Sequence, residues 1–183
     1  FTVSTFGDSQ DFGDLTEAAG YSNQKGVSTV TRGLFAGGYY KNAIEFVTVQ
    51  STGNSTNFGD LTLPRLGCSA NNDTVRAVWS GGQGPGHAVT NIMDYVSIST
   101  TGNALDFGDI GLAKTVYASC SSSTRGIVNR ANNPATPRGV YESFTIRTLG
   151  NATEFGDVVD FQTVYGGASN ATRGIYCGGY LGN

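Results

Sequence analysis

One histidine, one tryptophan, one methionine, four prolines and three cysteines are all that this 183-residue chain holds of those types. With His87 the sole histidine, a catalytic triad or a histidine-based metal site has only that residue to build on, and it stands in the loop-like stretch GQGPGHAV, where a surface histidine is the plain reading. Cys68, Cys120 and Cys177 are odd in number and form no Cys-x-x-Cys pair, so at most one disulfide can form and no cysteine metal site is expected. Each cysteine lies among apolar or small residues, which predicts small buried hydrophobes. Charged residues make up only 14% of the chain, at a net charge of −3, with no basic stripe, so nucleic acid is excluded as a partner. No apolar run approaches the ~20 residues of a membrane-crossing helix, which excludes a membrane partner of that kind. The start carries no signal-peptide pattern, and opening on Phe1 instead of Met predicts a processed or partial chain.

Glycine is the abundant residue, at 27. Such a composition fits disorder, but 38% hydrophobic residues with 10 Phe and 9 Tyr argue for tight turns and packed strands.

One phrase recurs: FGDSQDFGDL at 6–15, TGNSTNFGDL at 52–61, TGNALDFGDI at 101–110 and LGNATEFGDV at 149–158. Its phenylalanines, Phe12, Phe58, Phe107 and Phe155, are 46, 49 and 48 residues apart. Arg32, Arg76, Arg125 and Arg173 keep the same beat, and so do the pairs Gly37-Gly38, Gly81-Gly82 and Gly178-Gly179. The third repeat has Arg130-Ala131 where a glycine pair would fall, and the second has Val75-Arg76-Ala77 in place of Thr-Arg-Gly. A period of this size points to propellers, solenoids or arrays.

Within 66–110 no helical apolar period occurs. Four runs rich in Val, Ile, Thr and aromatics, near 66–71, 75–80, 92–99 and around Phe107 to Ile110, are separated by Gly, Asn, Asp and Pro. Four antiparallel strands per period is how a propeller blade is built. The third strand reads IEFVTV, MDYVSI and YESFTI, with apolar groups on both faces, as expected where sheets stack face to face. Its constant acid, Glu45, Asp94 or Glu142, implies a fixed polar partner or the wet end of the strand. The repeated phenylalanines should pack between neighbouring sheets, the following Gly should permit a turn or bulge, and the Asp should close its own turn or pair with the repeat arginine. The Gly-Asn before them is expected as the turn between strands three and four.

These features resemble kelch-type repeats, with a double glycine closing an apolar strand, an aromatic-bearing strand after it, and Phe-Gly-Asp-Leu at the position of a Trp-x-x-Leu fourth strand. They are similar to kelch-like repeats of virion and tail proteins of tailed bacteriophages. The resemblance implies an all-β propeller of four four-stranded blades in one domain, with repeats at about 17–62, 63–111, 112–159, and 160–183 completed by 1–16. Phe1-Thr2-Val3 aligns with Val47-Thr48-Val49, and the chain ends on GGYLGN, before a third strand would begin. The last blade is thus shared by the two tails, within one chain or between neighbours in a filament.

The resemblance implies a structural protein of a virion or an extracellular filament. It would be non-enzymatic, need no cofactor or metal, and contact other copies of itself or other subunits. A lectin-like propeller for surface glycans is the first alternative. A glycosidase-type propeller is the second, although the sialidase box is absent and the repeat arginines are too symmetric for a catalytic cluster. Loops after the double glycine vary most between repeats, which makes Tyr39, Tyr40, Gln83, His87, Asn132, Arg138 and Tyr180 the candidates for partner or ligand recognition. Asn54, Asn72, Asn151 and Asn170 head Asn-x-Ser/Thr sequons at exposed turns, open to glycosylation in a suitable host but also the turn residues such a repeat needs.

Overall fold

Short β-branched and aromatic runs, cut by Gly, Asn and Asp, close into antiparallel ladders along the chain. The structure is a computed structural model and describes residues 7–16, 24–116, 118–130, 139–157, 162–163, 166–178 and 180–181. The first sheet holds β1 (Lys25–Ser28), β2 (Arg32–Ala36), β3 (Ala43–Thr48) and β4 (Thr56–Asp60), in that spatial order. The second holds β5 (Ser69–Asn72), β6 (Arg76–Ser80), β7 (Ile92–Ser97) and β8 (Leu105–Asp109). The third holds β9 (Ser119–Ser121), β10 (Arg125–Arg130), β11 (Val140–Thr145) and β12 (Thr153–Asp157). Two smaller pairs follow. β13 (Gln162–Thr163) pairs with β16 (Tyr180–Leu181), and β14 (Gly166–Ser169) with β15 (Gly174–Cys177). The chain is thus all-β with four-stranded antiparallel sheets, and no helix among the described residues is long and apolar enough to cross a membrane.

Each first strand turns into its second by one device in four chemistries. Thr29, Asp73, Ser122 and Asn170 each turn a side-chain oxygen back onto the backbone N–H groups two and three residues on. Each fourth strand carries the expected bulge, and the bulged residue is the repeat phenylalanine. Ile44 faces Gly59 and Glu45 faces Asn57, so Phe58 has no partner, and Phe107 and Phe155 are skipped in the same way.

The first strands lie side by side, β1 against β5, β5 against β9 and β9 against β14. Between the first and second sheets one apolar cluster joins Leu34, Ile44, Phe58 and Leu61 to Trp79, Val96 and Ile98. Between the second and third, another joins Val78, Met93, Phe107 and Ile110 to Val128, Phe144 and Ile146. Both faces of the middle sheet are therefore covered, as the apolar third strand anticipates.

The recurring phrase holds these sheets in step. Gly102 N–H donates to the Phe58 carbonyl at 2.8 Å, Ala104 N–H to the Asp60 carbonyl at 2.8 Å, and Asp60 N–H to Asn103 Oδ1 at 3.1 Å. The same three bonds join Phe12 and Asp14 to Gly53, Asn54 and Ser55, and Phe107 and Asp109 to Gly150, Asn151 and Ala152. Phe-Gly-Asp of one repeat is thus clasped by the Gly-Asn segment of the next. Gly59 sits at φ 154°, and a Cβ there would stand 2.2 Å from the Gly102 carbonyl oxygen. Two main chains meet closer than any side chain allows, which is why the position is glycine.

Several expectations are corrected. The turn between strands three and four lies at Thr48–Ser51, where Ser51 N–H bonds the Thr48 carbonyl, while Gly-Asn runs along the preceding repeat. The repeated Asp does not close its own turn. It is the acid before the phenylalanine, Asp11 or Asp106, that accepts from the following glycine N–H. Phe58 and Phe107 are buried, whereas Phe12 and Phe155 at the two ends of the series are exposed; the sheet next to Phe155 is only the pair β14–β15, with no third strand among the described residues. Cys177 is exposed for the same reason, while Cys68 and Cys120 are buried, and all three thiols are free. Residues 7–15 form no strand, and the expected third strand at Phe1 to Val3 lies outside the described residues. The sheets form an open series, with no closed ring among the described residues.

Gly59→Ala and Gly108→Ala are each expected to destabilise the chain by about 3 kcal/mol or more, from strain and a main-chain clash. Gly86→Ala, at φ 72° in open space, should cost about 1 kcal/mol. Urea denaturation of the three variants reads the difference.

Candidate functional site

A buried charge that finds no partner is expensive, so each charged group inside the fold reveals its purpose by what it touches. The constant acid of the third strand is buried and reaches the segment just after the preceding repeat's Phe-Gly-Asp. Glu45 accepts from the Thr16 and Ser55 hydroxyls. Asp94 accepts from Thr62 Oγ1 at 2.6 Å and Thr62 N–H at 3.1 Å, and Glu142 from Gly111 N–H at 3.1 Å. The acids are therefore part of the repeat-to-repeat clasp, with a fixed polar partner.

The repeat arginines do not pair with the repeated aspartates. Arg32 lies over the Phe46 ring at 4.8 Å and donates to the Ile98 carbonyl of the next repeat at 2.8 Å. Arg76 lies over Tyr95 at 4.6 Å and reaches the Ile146 carbonyl at 3.4 Å. In the third repeat Ser143 takes the aromatic's place, and Arg125 turns to Phe155 instead, at 5.7 Å. The cation–π contacts lie within each repeat's own sheet, and it is the hydrogen bonds of Arg32 and Arg76 to the next repeat's carbonyls that tie one sheet to the next.

Sequence reasoning missed Arg65, which follows a proline in a connection and carries no repeat signature. It is fully buried, with Nη2 2.8 Å from Asp94 Oδ2 and 3.2 Å from the Trp79 carbonyl. A second unforeseen pair joins Arg147 Nε to Asp73 Oδ2 at 2.5 Å, bridging the third repeat to the second. Burial pushes the Asp73 carboxyl up, but the Arg147 hydrogen bond and the Arg76 and Val75 N–H groups outweigh it and hold the carboxyl below its ordinary value. Burial raises the Cys68 and Cys120 thiols, which keeps both protonated and unreactive.

The loops are where repeats differ. Gly81 and Gly82, at φ 64° and 115°, turn the chain out of β6 against the connection that carries Arg65 and Leu66. The following loop is pinned by paired bonds between Leu66 and Gln83, by Gly84 N–H to the Ala88 carbonyl, and by Gln83 Nε2 to the His87 carbonyl at 3.2 Å. The first repeat's loop comes beside it. Tyr40 Oη stands 3.4 Å from His87 Nδ1, the two rings meet edge to face, and Tyr39 packs on Tyr40 at 5.1 Å. Tyr40 and His87 are the two non-glycine residues with left-handed backbone, at φ 55° and 65°, among the described residues. Tyr39, Tyr40, Gln83 and His87 are thus brought together on one surface. Asn132 and Arg138 lie outside the described residues, and Tyr180 is placed only by its backbone in β16, opposite Thr163.

The sequon asparagines have structural tasks. Asn54 and Asn151 make the clasp bond through Oδ1, as does Asn103, which heads no sequon. Asn72 spends its amide nitrogen, the atom a glycan would take, on the Ser28 and Asp73 carbonyls at 2.9 Å each, and Asn170 closes its turn. Among the described residues no three His, Cys, Asp or Glu side chains gather as a metal would require.

No family model matches the chain. No curated protein matches it either.

Arg65→Met leaves Asp94 charged, buried and short of its cation, and is expected to cost about 3–5 kcal/mol. Adding Asp94→Asn should recover a large part, a coupling read by a double-mutant cycle in urea. Asp73 titrates lower in the folded chain than in the unfolded one. Its contribution is therefore whole above about pH 4 and is lost as pH falls through the folded value. Asp73→Asn should lower stability at neutral pH and flatten the acid limb, as measured by denaturation at stepped pH.

Proposed function

We propose that this chain is a non-enzymatic structural or assembly component of a phage virion or an extracellular filament, built from kelch-like propeller repeats and acting through protein–protein contacts. The observation that carries the reading is how its polar chemistry is used. The clasp acids, Arg32 and Arg76, and Asn54, Asn72 and Asn151 hold one repeat to the next, and apolar sheet faces stay uncovered at both ends of the series. A propeller whose last blade is shared by the two tails accounts for both features, and a protein surface is the natural cover for such faces.

The lectin reading has one observation of its own. Tyr39, more than half exposed, Tyr40, Gln83 and His87 converge from two repeats, and an aromatic platform beside amide and imidazole groups suits a sugar ring.

The two readings part on a glycan array probed with the purified chain and with Tyr39→Ala and His87→Ala. The structural reading expects no saccharide signal above background in any of the three, and no hydrolysis of the arrayed glycans. A saccharide-specific signal that Tyr39→Ala abolishes overturns it in favour of the lectin.

A further inference from the structure

Three clasps are made within the chain, and the halves of a fourth are present but apart. Phe155-Gly156-Asp157 is the clasp phrase of the third repeat, and nothing lies within 4 Å of where a Gly156 Cβ would stand. A Cβ at Gly13, Gly59 or Gly108, its equivalents in the made clasps, would meet main chain at 2.2–2.5 Å, and Gly7-Asp8-Ser9 aligns with the clasp partner Gly53-Asn54-Ser55. No backbone hydrogen bond joins Gly7 or Ser9 to Phe155 or Asp157, although all four are described.

The apolar faces are divided in the same way. Val49 of the first repeat is 45% exposed, while its equivalents Ile98 and Ile146 are 3% and 0% exposed, each covered by the preceding sheet. With Phe12, Phe35 and Val47 it lines an open groove of about 610 Å³. At the other end Phe155 is 52% exposed where Phe58 and Phe107 are 2%, and Ile175 is 60% exposed. Among the described residues β15 pairs with β14 alone, whereas β2, β6 and β10 each have a third strand on the far side. An open strand edge beside an apolar face is a template for an incoming strand.

We propose that a second copy of this chain fills this vacancy, head to tail. The amino-terminal segment of one copy clasps Phe155–Asp157 of the other and lies along β15, and the incoming face around Val49 covers Ile175. The proposal rests on the protein-contact reading and names the partner. One feature favours a second copy over closure within one chain: β14 makes no contact with β1 comparable to those between successive first strands, β1 with β5, β5 with β9 and β9 with β14. The two surfaces differ, so the contact is heterologous, and copies joined this way form a closed ring or a filament.

The test uses the full chain with Val49→Asp on the head and Gly156→Ala on the tail, two substitutions in open space that leave the single chain folded, as circular dichroism checks. Sedimentation velocity should show the wild type associating with rising concentration, and each variant weakened by roughly tenfold or more, through a carboxylate placed in an apolar seam or a Cβ placed in a clasp. Mixing the two variants should restore association, because one pairing of wild-type head with wild-type tail survives. A wild type that stays monomeric, or association that neither variant weakens, overturns the proposal. A monomer whose Gly174–Cys177 amides exchange slowly would mean closure within one chain, which sinks the second copy and leaves the protein-contact reading standing. Only saccharide binding through Tyr39 would remove that reading.

Discussion

The close approach of one repeat's Phe-Gly-Asp backbone to the next repeat's Gly-Asn is the constraint on which the rest of the molecule depends. A four-stranded sheet this small has two apolar faces and no core of its own, so it is stable only when neighbours cover it. The clasp sets where each neighbour sits. Two main-chain bonds and one asparagine bond recur at 2.7–3.1 Å in three successive repeats, each contributing about 1 kcal/mol net. The glycine between them lets the chains meet at a distance that a Cβ would forbid. The bulge frees the phenylalanine from its own ladder and turns it into the cluster between sheets.

Around this seam the buried polar groups form one system. The third-strand acid reaches back to the residue just beyond the clasped phrase, and the arginine reaches forward to a carbonyl of the following repeat. Both act across the boundary between repeats, so they recur with the repeat. A feature present once per repeat is explained by the contact between repeats, and no ligand need be invoked. Arg65 is the exception: a fully buried cation with no repeat signature, tolerated because Asp94 and two carbonyls surround it.

Function is then sought where the repetition breaks. One break is the pair of loops in which Tyr40 and His87 adopt left-handed backbone, a strain that packing against the neighbouring loop sustains. The other is the pair of ends, where the same faces that are dry in the middle of the series stay open. Side chains identical in role differ in exposure only because of what lies beside them, Phe107 against Phe155 being the plainest case.

The period, most of the strands and the bulge in the fourth strand were legible in the sequence, because each depends on residues close together along the chain. The alternation that buries both faces of β7 is local chemistry of this kind, whereas Gly-Asn reads as a turn and instead lies along the preceding repeat, and the side-chain turns at Thr29, Asp73, Ser122 and Asn170 went unread. The roles of the repeated Asp, the arginines and the sequon asparagines were not legible, because their partners stand forty or more residues away and only packing brings them together. The convergence of Tyr40 with His87 and the burial of Arg65 belong to the tertiary structure for the same reason. Sequence determined what each repeat is, whereas the fold alone decided which surfaces are spent on neighbours and which remain free, because that depends on how successive sheets are set against one another in space.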